Sequence, residues 1–510
     1  MSAIRGEVSC GDGWEAGAGA PFRAYDPSQE RELEPSFRDA STAQVERAVH
    51  AAAQAFAAFR ATSAEQRAAL LERIASGVEA LGTTLLERAH AETALPLARL
   101  ESERGRTCGQ LRMFAKLIRS GAHLGVVRDA ADPERKPLPK PDLRRRQIPL
   151  GPVAVFGASN FPLAFSAVGG DTAAALAAGC TVIVKAHPAH PGTSELVARV
   201  LAEALHEFGL PANAATFVQG AANAVGAALV RHPLLRAVAF TGSLRGGRAL
   251  FDLACARPHP IPVYAEMGST NPTVFLESAL QPRGEAIARD LAASVTLGCG
   301  QFCTNPGLLF AVASPSTERF AEVLAAALEA LPNGTMLTRG IAQSYREGLA
   351  RWSQLAGVRR ETKERATESP CRATPAFFRC DVATFAREHA LQEELFGPAT
   401  LLVTARDRAE LLQALALVPG QLTAGIHGDA SEVRAWKDLL PALEDKAGRL
   451  VWNGYPTGVE VSPAMLHGGP YPATTDSRVS SVGPSSIERF LRPVAYQNFP
   501  SELLPEELRG

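Results

Sequence analysis

The spacing of apolar positions changes near residue 150, and this change predicts two kinds of structure. From Thr42 to about Ile118 apolar side chains recur every three or four residues, as on the buried face of helices. From Val153 onward, short apolar runs alternate with segments of helical period. Strands that alternate with helices of this length are typical of a parallel, doubly wound sheet. The pattern therefore predicts helices followed by an α/β fold.

Five apolar runs are predicted as strands, and ligands of such sheets bind beyond the carboxyl ends of the strands. The predicted strands lie at 153–156, 181–185, 215–219, 237–241 and 262–266. A second α/β segment is predicted to about residue 404 and another to about 482.

Three outer stretches have a different character. Residues 1–40 contain Gly, Pro and mixed charges and are predicted as loop. Residues 127–150 are predicted as a connector that carries a short strand pair. The Pro-punctuated tail after about 482 is too apolar for a free end. We expect it to pack on its own body or on a partner subunit.

Composition narrows the class of protein. The 510 residues are 46% hydrophobic and 21% charged, so the core needs neither disulfides nor a structural metal. A net charge of −1 gives no reason to expect binding to nucleic acid or to a membrane surface. No export signal or membrane-length apolar run is visible, and the eight cysteines are scattered. We therefore expect a cytoplasmic protein.

Two polar residues stand at predicted strand ends, and each has two interpretations. Asn160 follows the strand 153–156, where its side-chain amide could donate a hydrogen bond to an oxyanion or could belong to a turn. Lys185 ends the strand 181–185 before a helix. There it suits the ribose or phosphate of a nucleotide, and a solvated surface lysine is the alternative.

A glycine-rich turn follows the strand 237–241. Gly242, Ser243, Gly246 and Gly247 precede a helix, and glycines there let a pyrophosphate approach the backbone amides. The spacing differs from GxGxxG, so the general dinucleotide fingerprint is absent. A tight strand–helix turn remains an equal alternative.

Glu266 and Cys303 form the fourth motif. Cys303 lies in the polar segment GCGQFCTNPG, which suits a nucleophile, although an inert buried thiol is also compatible with the sequence. Cys299 and Cys303 lack the second Cys or His pair that a zinc site needs, so no metal is expected.

Together these motifs resemble the aldehyde dehydrogenase superfamily. NFP, the strand-end lysine, FTGS, EMG, GQFC and EELFGP occur in that family's order and approximate spacing over nearly the whole chain. Longer stretches, including GPVAVFGASNFPLAFS and NGYPTGVEVSPAMLHGGPYPATTD, are similar to one branch of it. That branch oxidises α-ketoglutaric semialdehyde (2,5-dioxopentanoate) to 2-oxoglutarate.

The resemblance implies a mechanism. The Cys303 thiolate attacks the aldehyde carbon, and the Asn160 amide and the Cys303 backbone N–H hold the oxyanion. Hydride passes to the cofactor and leaves a thioester; each oxyanion donor is worth about 3 kcal/mol. Glu266 activates the hydrolytic water, a role that a pKa raised by burial would favour. His467 is a second candidate base, with a structural loop histidine as the alternative.

The resemblance also implies the cofactor contacts. Many NAD-preferring relatives have a glutamate three residues after the strand-end lysine, and it repels a 2′-phosphate. This chain has Pro188 there, with His187 beside it. We therefore expect NADP to be accepted as well as NAD, and even preferred, although the sequence offers no evident arginine clamp. The residues that match cofactor positions are Lys185, Gly242, Ser243, Gly247, Glu394 and Phe396.

The expected substrate needs an apolar passage with a cation or several hydrogen-bond donors at its outer end. Arg104, Arg106 and Arg112 are candidates for that end, and a solvated helix face is the alternative for each. The passage would also admit aliphatic, fatty or aromatic aldehydes. The residues that match tunnel-lining positions are Phe161, Phe165, Val168 and Phe302.

Three other functions remain open. A CoA-acylating relative would release the thioester to CoA, a thiol esterase would use no cofactor, and a non-catalytic scaffold would keep only the fold. Glu266 favours hydrolysis over transfer to CoA. The presence of Asn160, Glu266 and Cys303 together speaks against a scaffold.

The predicted architecture is an α/β, aldehyde-dehydrogenase-like fold in three parts. Residues 1–126 and 151–266 form a Rossmann-like NAD(P)-binding domain, and 267–476 form an α/β catalytic domain. Residues 127–150 and 477–510 form a small bridging or oligomerisation element. Because such arms pair subunits in the family, we expect a homodimer or homotetramer.

Overall fold

The computed structural model describes residues 4–11, 13–367 and 369–509. Their strands are β1 (Glu7–Ser9), β2 (Trp14–Ala16), β3 (Pro21–Asp26), β4 (Arg31–Arg38), β5 (Val127–Asp129), β6 (Leu143–Pro149), β7 (Val153–Phe156), β8 (Val182–Lys185), β9 (Ala215–Val218), β10 (Ala237–Thr241), β11 (Val263–Glu266), β12 (Thr273–Phe275), β13 (Leu308–Val312), β14 (Gly334–Thr335), β15 (Arg359–Arg360), β16 (Arg372–Ala373), β17 (Ala376–Asp381), β18 (Ala399–Ala405), β19 (Gln421–His427), β20 (Ala447–Trp452) and β21 (Leu491–Gln497).

The helices surround these strands, and among the described residues none combines the length and apolar character that a membrane crossing requires. They are α1 (Thr42–Arg60), α2 (Ala64–Ala80), α3 (Gly82–Thr93), α4 (Leu97–Arg119), α5 (Gly170–Ala178), α6 (Pro191–Glu207), α7 (Asn223–Arg231), α8 (Leu244–Cys255), α9 (Glu277–Thr296), α10 (Pro315–Ala330), α11 (Arg339–Gln354), α12 (Val382–Arg387), α13 (Arg408–Leu417), α14 (Ala430–Ala435) and α15 (Leu439–Glu444). Short 3₁₀ helices lie at Ala122–Leu124, Ala212–Ala214, Leu297–Gly300, His389–Leu391, Pro484–Phe490, Ser501–Leu503 and Glu506–Leu508.

The first large sheet has the order β11-β10-β7-β8-β9-β1-β2. The strands from β11 to β9 are parallel, which confirms all five predicted strands to within one residue at each end. Val153 and Val155 of β7 pack with α2, α4, α5 and α6, whereas Ala154 and Phe156 pack with the opposite layer of α1, α7 and α8. Because both faces are covered, β7 is a continuous apolar run instead of an alternating one.

The predicted helical region 42–118 is confirmed as four helices with clear starting signals. The side chain of Ser41 caps α1 and that of Ser63 caps α2, each by accepting a backbone N–H from the third residue onward. Gln44 and Gln66 return a hydrogen bond to the cap backbone, which completes a capping box in both helices.

The second large sheet has the order β15-β17-β18-β13-β12-β19-β20. All its neighbouring strands are parallel except β15, which is antiparallel to β17. Helices cover both faces, and this confirms the second predicted α/β region.

The predicted connector and tail come together in one small sheet. Within it β6 pairs with β5 on one side and with β21 on the other, both antiparallel. The expected strand pair in 127–150 is confirmed, and so is the packing of the tail on its own body. Whether this sheet also joins subunits stays a prediction, as do the domain boundaries.

The prediction of loop for residues 1–40 is wrong for much of that stretch. Two short strands, β1 and β2, extend the first sheet, and β3 pairs with β4 as a hairpin. Three-residue strands are too short to carry a period-2 signal. In β4 the buried residues Leu33 and Phe37 lie on one face, but Pro35 stands between them, and a proline within a run weakens the signal of a strand.

Candidate active site

A cavity of about 870 Å³ lies at the carboxyl edge of the first sheet. Parallel pairing sets Phe156 opposite Lys185 and Thr241 opposite Glu266, so the ends of neighbouring strands reach this edge together. The predicted site residues on its wall are Asn160, Phe161, Phe165, Lys185, His187, Pro188, Gly242, Ser243, Glu266, Cys303, Glu394 and Phe396.

Cys303 follows a tightly turned segment. Gly300 has a φ of +66°, and a Cβ there would overlap the carbonyl of Gly397. The turn therefore requires glycine at this position. Just after it, the side-chain amide of Asn271 donates a hydrogen bond of 2.8 Å to the Cys303 carbonyl. The peptide that carries the thiol is held from both sides.

Three side chains distant in sequence meet at the thiol. Cys303 Sγ lies 3.5 Å from His467 Nε2, and the same Nε2 lies 2.8 Å from Glu266 Oε1. The Ser481 hydroxyl donates a short hydrogen bond to Glu266 Oε2. The side chains of His467 and Glu266 are 2% and 4% exposed. A thiol, an imidazole and a carboxylate thus share a buried site.

The environment acts oppositely on the two acids. Burial opposes ionisation of Glu266, but the charge and hydrogen bond of His467 and the bond from Ser481 outweigh it, so the pKa of this carboxyl is lowered. Burial would favour a raised pKa; its partners reverse that shift. Burial and the negative charges of Glu266 and Glu394 hold the pKa of the Cys303 thiol well above its usual value. The thiol needs a nearby base to ionise.

The imidazole of His467 is placed to supply that base. Its Nε2 faces both Cys303 and Glu266, so a protonated ring would present one N–H to a thiolate and a carboxylate together. A proton could move from sulfur to this nitrogen while the carboxylate stabilises the imidazolium. Glu266, Cys303 and His467 are also a possible set of metal ligands, because one ligand atom of each lies within 4.8 Å of the others. However, the 2.8 Å separation of His467 Nε2 and Glu266 Oε1 is a hydrogen-bond length.

The amide of Asn160 lies beside the same loop. Its Nδ2 donates to the carbonyl of Gln301 at 3.0 Å, and the second N–H of the amide remains for another acceptor. Arg99 donates to the Asn160 backbone carbonyl at 2.7 Å. The Arg99 guanidinium lies over the rings of Phe161 and Phe302, at 5.0 and 4.8 Å from their centroids. These contacts fix one aromatic wall of the passage.

The opposite end of the cavity is built from a cation and a helix start. Lys185 Nζ donates to the Gly220 carbonyl at 2.8 Å, and burial lowers its pKa to about 8, against the opposing charge of Asp39. Ser243 caps α8 by accepting the Gly246 N–H. The first amides of a helix and a nearby lysine suit a phosphate.

Three further cofactor candidates differ in their position relative to the cavity wall. Gly247 lies off the cavity wall, where a Cβ would come within 2.6 Å of Met267 Cγ, so glycine permits the close packing of α8. Glu394 is on the wall, and burial raises its pKa to about 7. His187 is also on the wall, and burial with the charges of His190 and Lys185 keeps its pKa well below the usual value.

Several predicted substrate residues are not brought to the cavity wall. Val168 belongs to the core of the first sheet. Arg104 donates to the Gly82 carbonyl, and Arg112 forms a two-pronged ion pair with Glu79 at the surface. Arg112 therefore lies on a solvated helix face, which was the alternative to a role in substrate binding. The third arginine of this helix, Arg106, points instead to the loop that contains Val459.

Other residues at the site were not found from the sequence. Arg245 lies on the cavity wall, and its position two residues after FTGS was an available signal. Ser481 contacts Glu266 across 215 positions, and Arg449 lies within electrostatic reach of Cys303. Contacts over such separations leave no local pattern.

Besides the group at Cys303, Glu46, His50 and His232 are a second possible set of metal ligands. Atoms of Glu46, His50 and His232 come within 4.8 Å of one another. However, His232 Nδ1 accepts the N–H of Leu234, so a neutral ring carries its proton on Nε2, the nitrogen that faces Glu46. His50 Nε2 lies 3.2 Å from Glu46 Oε1, a hydrogen-bond distance, whereas His232 Nε2 lies 3.6 Å from the same oxygen.

A buried thiol beside an imidazole and a carboxylate, with an amide donor and a cavity of about 870 Å³ nearby, suits an enzyme that oxidises carbonyl carbon. Residues 14–490 match the model of the aldehyde dehydrogenase family. The chain belongs to this family, and it is an oxidoreductase that acts on aldehydes.

Two relatives are similar over nearly their whole length. One is alpha-ketoglutaric semialdehyde dehydrogenase 2 of Azospirillum brasilense, 53% identical over 99% of this chain and 97% of the relative. The other is alpha-ketoglutaric semialdehyde dehydrogenase of Acinetobacter baylyi, 48% identical over 93% of this chain and 90% of the relative. Among solved structures, an indole-3-acetaldehyde dehydrogenase in complex with NAD⁺ has a TM-score of 0.82 at 22% identity, with 97% of each chain covered. That likeness establishes the fold.

Proposed function

We propose that this enzyme oxidises 2,5-dioxopentanoate to 2-oxoglutarate with NADP or NAD, through a thioester on Cys303. The two relatives named for this substrate support the choice of aldehyde. The observation that carries the chemistry is the buried contact of Cys303, His467 and Glu266 at the wall of the cavity.

The residues present fit a nicotinamide dinucleotide. The cavity of about 870 Å³ is lined by Lys185, by the capped start of α8 and by Cys303. When bound, the oxidised nicotinamide supplies the hydride acceptor. Lys185 would contact ribose, the α8 amides phosphate, and Glu394 and Phe396 the nicotinamide ribose and ring.

NADP is the cofactor that the wall favours. Pro188 places no carboxylate three residues after Lys185, and His187 and Arg245 are among the donors that line the cavity. An arginine pairs with phosphate more strongly than neutral donors do. This supports Arg245 as a candidate for the clamp of the 2′-phosphate.

The first half-reaction begins with proton transfer from Cys303 to His467. The sulfur then forms a bond to the aldehyde carbon, and the carbonyl electron pair moves onto oxygen. Asn160 Nδ2 and the Cys303 backbone N–H hold this oxyanion. As the carbonyl re-forms, hydride leaves the same carbon and a thioester remains.

The second half-reaction is hydrolysis. Glu266 accepts one proton from water, whose oxygen bonds to the thioester carbon. The C–S bond breaks, the Cys303 thiolate leaves and takes back the proton that His467 holds, and the acid loses its own proton to solvent and becomes a carboxylate. Glu266 then returns its proton to solvent. The aldehyde carbon has lost two electrons as hydride, and one oxygen atom has come from water.

Initial rates of cofactor reduction test the proposal. We expect rapid turnover of 2,5-dioxopentanoate with NADP, slower turnover with NAD, and a loss of about 10⁴-fold or more in Cys303→Ala. Cys255→Ala, which changes an exposed cysteine, is the matched control and should behave as wild type. If the enzyme oxidises hexanal or benzaldehyde but does not oxidise 2,5-dioxopentanoate, the mechanism is retained and the 2-oxo acid substrate is ruled out.

The association of subunits through β5, β6 and β21 is part of the same proposal. These strands form a separate three-stranded sheet at the side of the molecule, with β5 fully exposed. Light scattering of the purified enzyme should give the mass of a homodimer or homotetramer, and a monomer would contradict it.

A further inference from the structure

Two arginines from distant parts of the chain hold the same loop. Arg106, in α4, donates from Nη1 to the carbonyl of Val459. Arg449, in β20, donates from Nη1 to the Gly458 carbonyl at 2.9 Å and from Nη2 to the Pro456 carbonyl. Both guanidinium groups therefore end at residues 456–459.

This loop borders the aromatic passage to Cys303. Val459 and Val461 pack in one cluster with Phe161 and Phe165. The charge of the Cys303 thiolate opposes the burial that lowers the pKa of either guanidinium, so both cations lie within electrostatic reach of the sulfur. Both guanidinium groups thus contact the 456–459 loop, whose Val459 contributes to the aromatic cluster of the passage.

Each arginine retains a buried donor. Nε of Arg106 and Nε of Arg449 are buried and have no hydrogen-bond partner among the described residues. Neither side chain forms an ion pair within the described part of the chain, although Glu103 and Glu460 act on Arg106 at longer range. Buried donors in proteins are nearly always paired, so an acceptor from a ligand would complete both groups.

We propose that Arg106 and Arg449 recognise the carboxylate of the substrate while its aldehyde carbon lies at Cys303. The ligand class is an aliphatic aldehyde with a carboxylate at its far end, and a 2-oxo group adds one more acceptor. This inference rests on the proposed function, for which it supplies the missing recognition of the acid end. Two planar guanidinium groups suit a carboxylate better than one point charge does.

Substrate discrimination tests the two residues. For Arg106→Gln and Arg449→Gln we expect kcat/KM for 2,5-dioxopentanoate to fall on the order of 10- to 100-fold each, the usual effect of losing a hydrogen bond to a charged group. For pentanal, which lacks the carboxylate, the change should stay within about threefold, because apolar contacts are kept. Arg119→Gln, in the same helix but in surface ion pairs, is the matched control. An equal loss on both aldehydes would overturn the proposal and assign a purely structural role.

Binding of the product separates this inference from the proposed function. We expect 2-oxoglutarate to raise the melting temperature of wild type and of Arg119→Gln, and to leave Arg449→Gln unchanged. If the wild type shows this pattern of stabilisation but does not oxidise 2,5-dioxopentanoate, the substrate assignment is wrong and the proposed carboxylate site is retained. Equal stabilisation of wild type and Arg449→Gln would overturn the site. If Arg449→Gln does not fold, Arg449→Lys replaces it, with the weaker stabilisation expected of a single point charge.

Discussion

The two ends of the cavity are built in different ways. At the proposed cofactor end, Lys185 and Ser243 belong to short motifs at the ends of β8 and β10, and Ser243 caps the start of α8. At the chemical end, Cys303, Glu266 and His467 come from three separate segments and are partnered in a buried cluster. One end depends on local turns, whereas the other depends on the tertiary fold.

This difference has an energetic consequence. A substitution at the cofactor end removes one contact among several, so its effect should be moderate and confined to cofactor binding. A substitution in the buried cluster leaves a charged or polar partner without its hydrogen bond. We therefore expect larger and less additive effects at the chemical end.

Glu266→Gln should give the largest effect within the cluster. We expect the steady-state rate to fall on the order of 10³-fold, since the base for hydrolysis is lost, while one burst of reduced cofactor remains. Rapid mixing with absorbance detection measures both phases. Glu322→Gln, at an exposed position of α10, is the control. Equal loss of burst and steady state would mean that Glu266 acts before the thioester forms.

His467→Gln should slow the ionisation of Cys303. Because burial and two carboxylates keep the thiol pKa high, we expect alkylation by iodoacetamide at neutral pH to slow about 10- to 100-fold. The rate should recover as the pH is raised. Both proteins carry Cys255→Ala, so that alkylation of this exposed thiol does not contribute to the measured rate. An unchanged alkylation rate would exclude His467 as the proton acceptor.

The lysine at the cofactor end should give a smaller effect that depends on pH. With a pKa of about 8, the Lys185 amine is charged below that pH and neutral above it. We expect the Kd for NADP to increase as the pH rises through 8, and Lys185→Met to bind about tenfold more weakly at pH 7. Fluorescence titration measures the Kd. At high pH the two proteins should converge, and a constant difference would contradict the role of the charge.

Pro188→Glu should have the smallest effect and change only the choice of cofactor. A carboxylate beside the ribose site would repel the 2′-phosphate, so we expect affinity for NADP to fall about tenfold and affinity for NAD to change less than about threefold. Pro188→Gln controls for the loss of proline. Equal weakening of both cofactors would show that the position acts on the backbone and not through charge.

Local signals were sufficient for much of the fold. The limits of β10 follow from an unbroken apolar run, and the start of α1 follows from its Ser41 cap. The β3–β4 hairpin was missed because Pro35 and the charged residues around it interrupt the apolar positions of β4. Motif residues such as Lys185 could be named in advance for the same reason that β10 could: their signal lies within a few positions.

The partners of the cluster could not be named in this way. Ser481 and Arg449 act on residues that are distant in sequence, and only the fold brings them close. The helix α4 shows the limit directly. Arg106 and Arg112 both appeared as candidates, but six residues turn a helix by about 240°, so the two side chains leave on different faces. Arg112 pairs with Glu79 at the surface, and Arg106 reaches the passage loop.

The most direct measurement is the intact mass of Glu266→Gln after brief exposure to 2,5-dioxopentanoate and NADP. With hydrolysis slowed, we predict a covalent adduct on Cys303 that has the mass of the aldehyde less two hydrogens, together with one equivalent of reduced cofactor. Peptide mapping should place it on Cys303 and leave Cys299 unmodified. Reduced cofactor without any adduct, or an adduct on another residue, would contradict a thioester on Cys303.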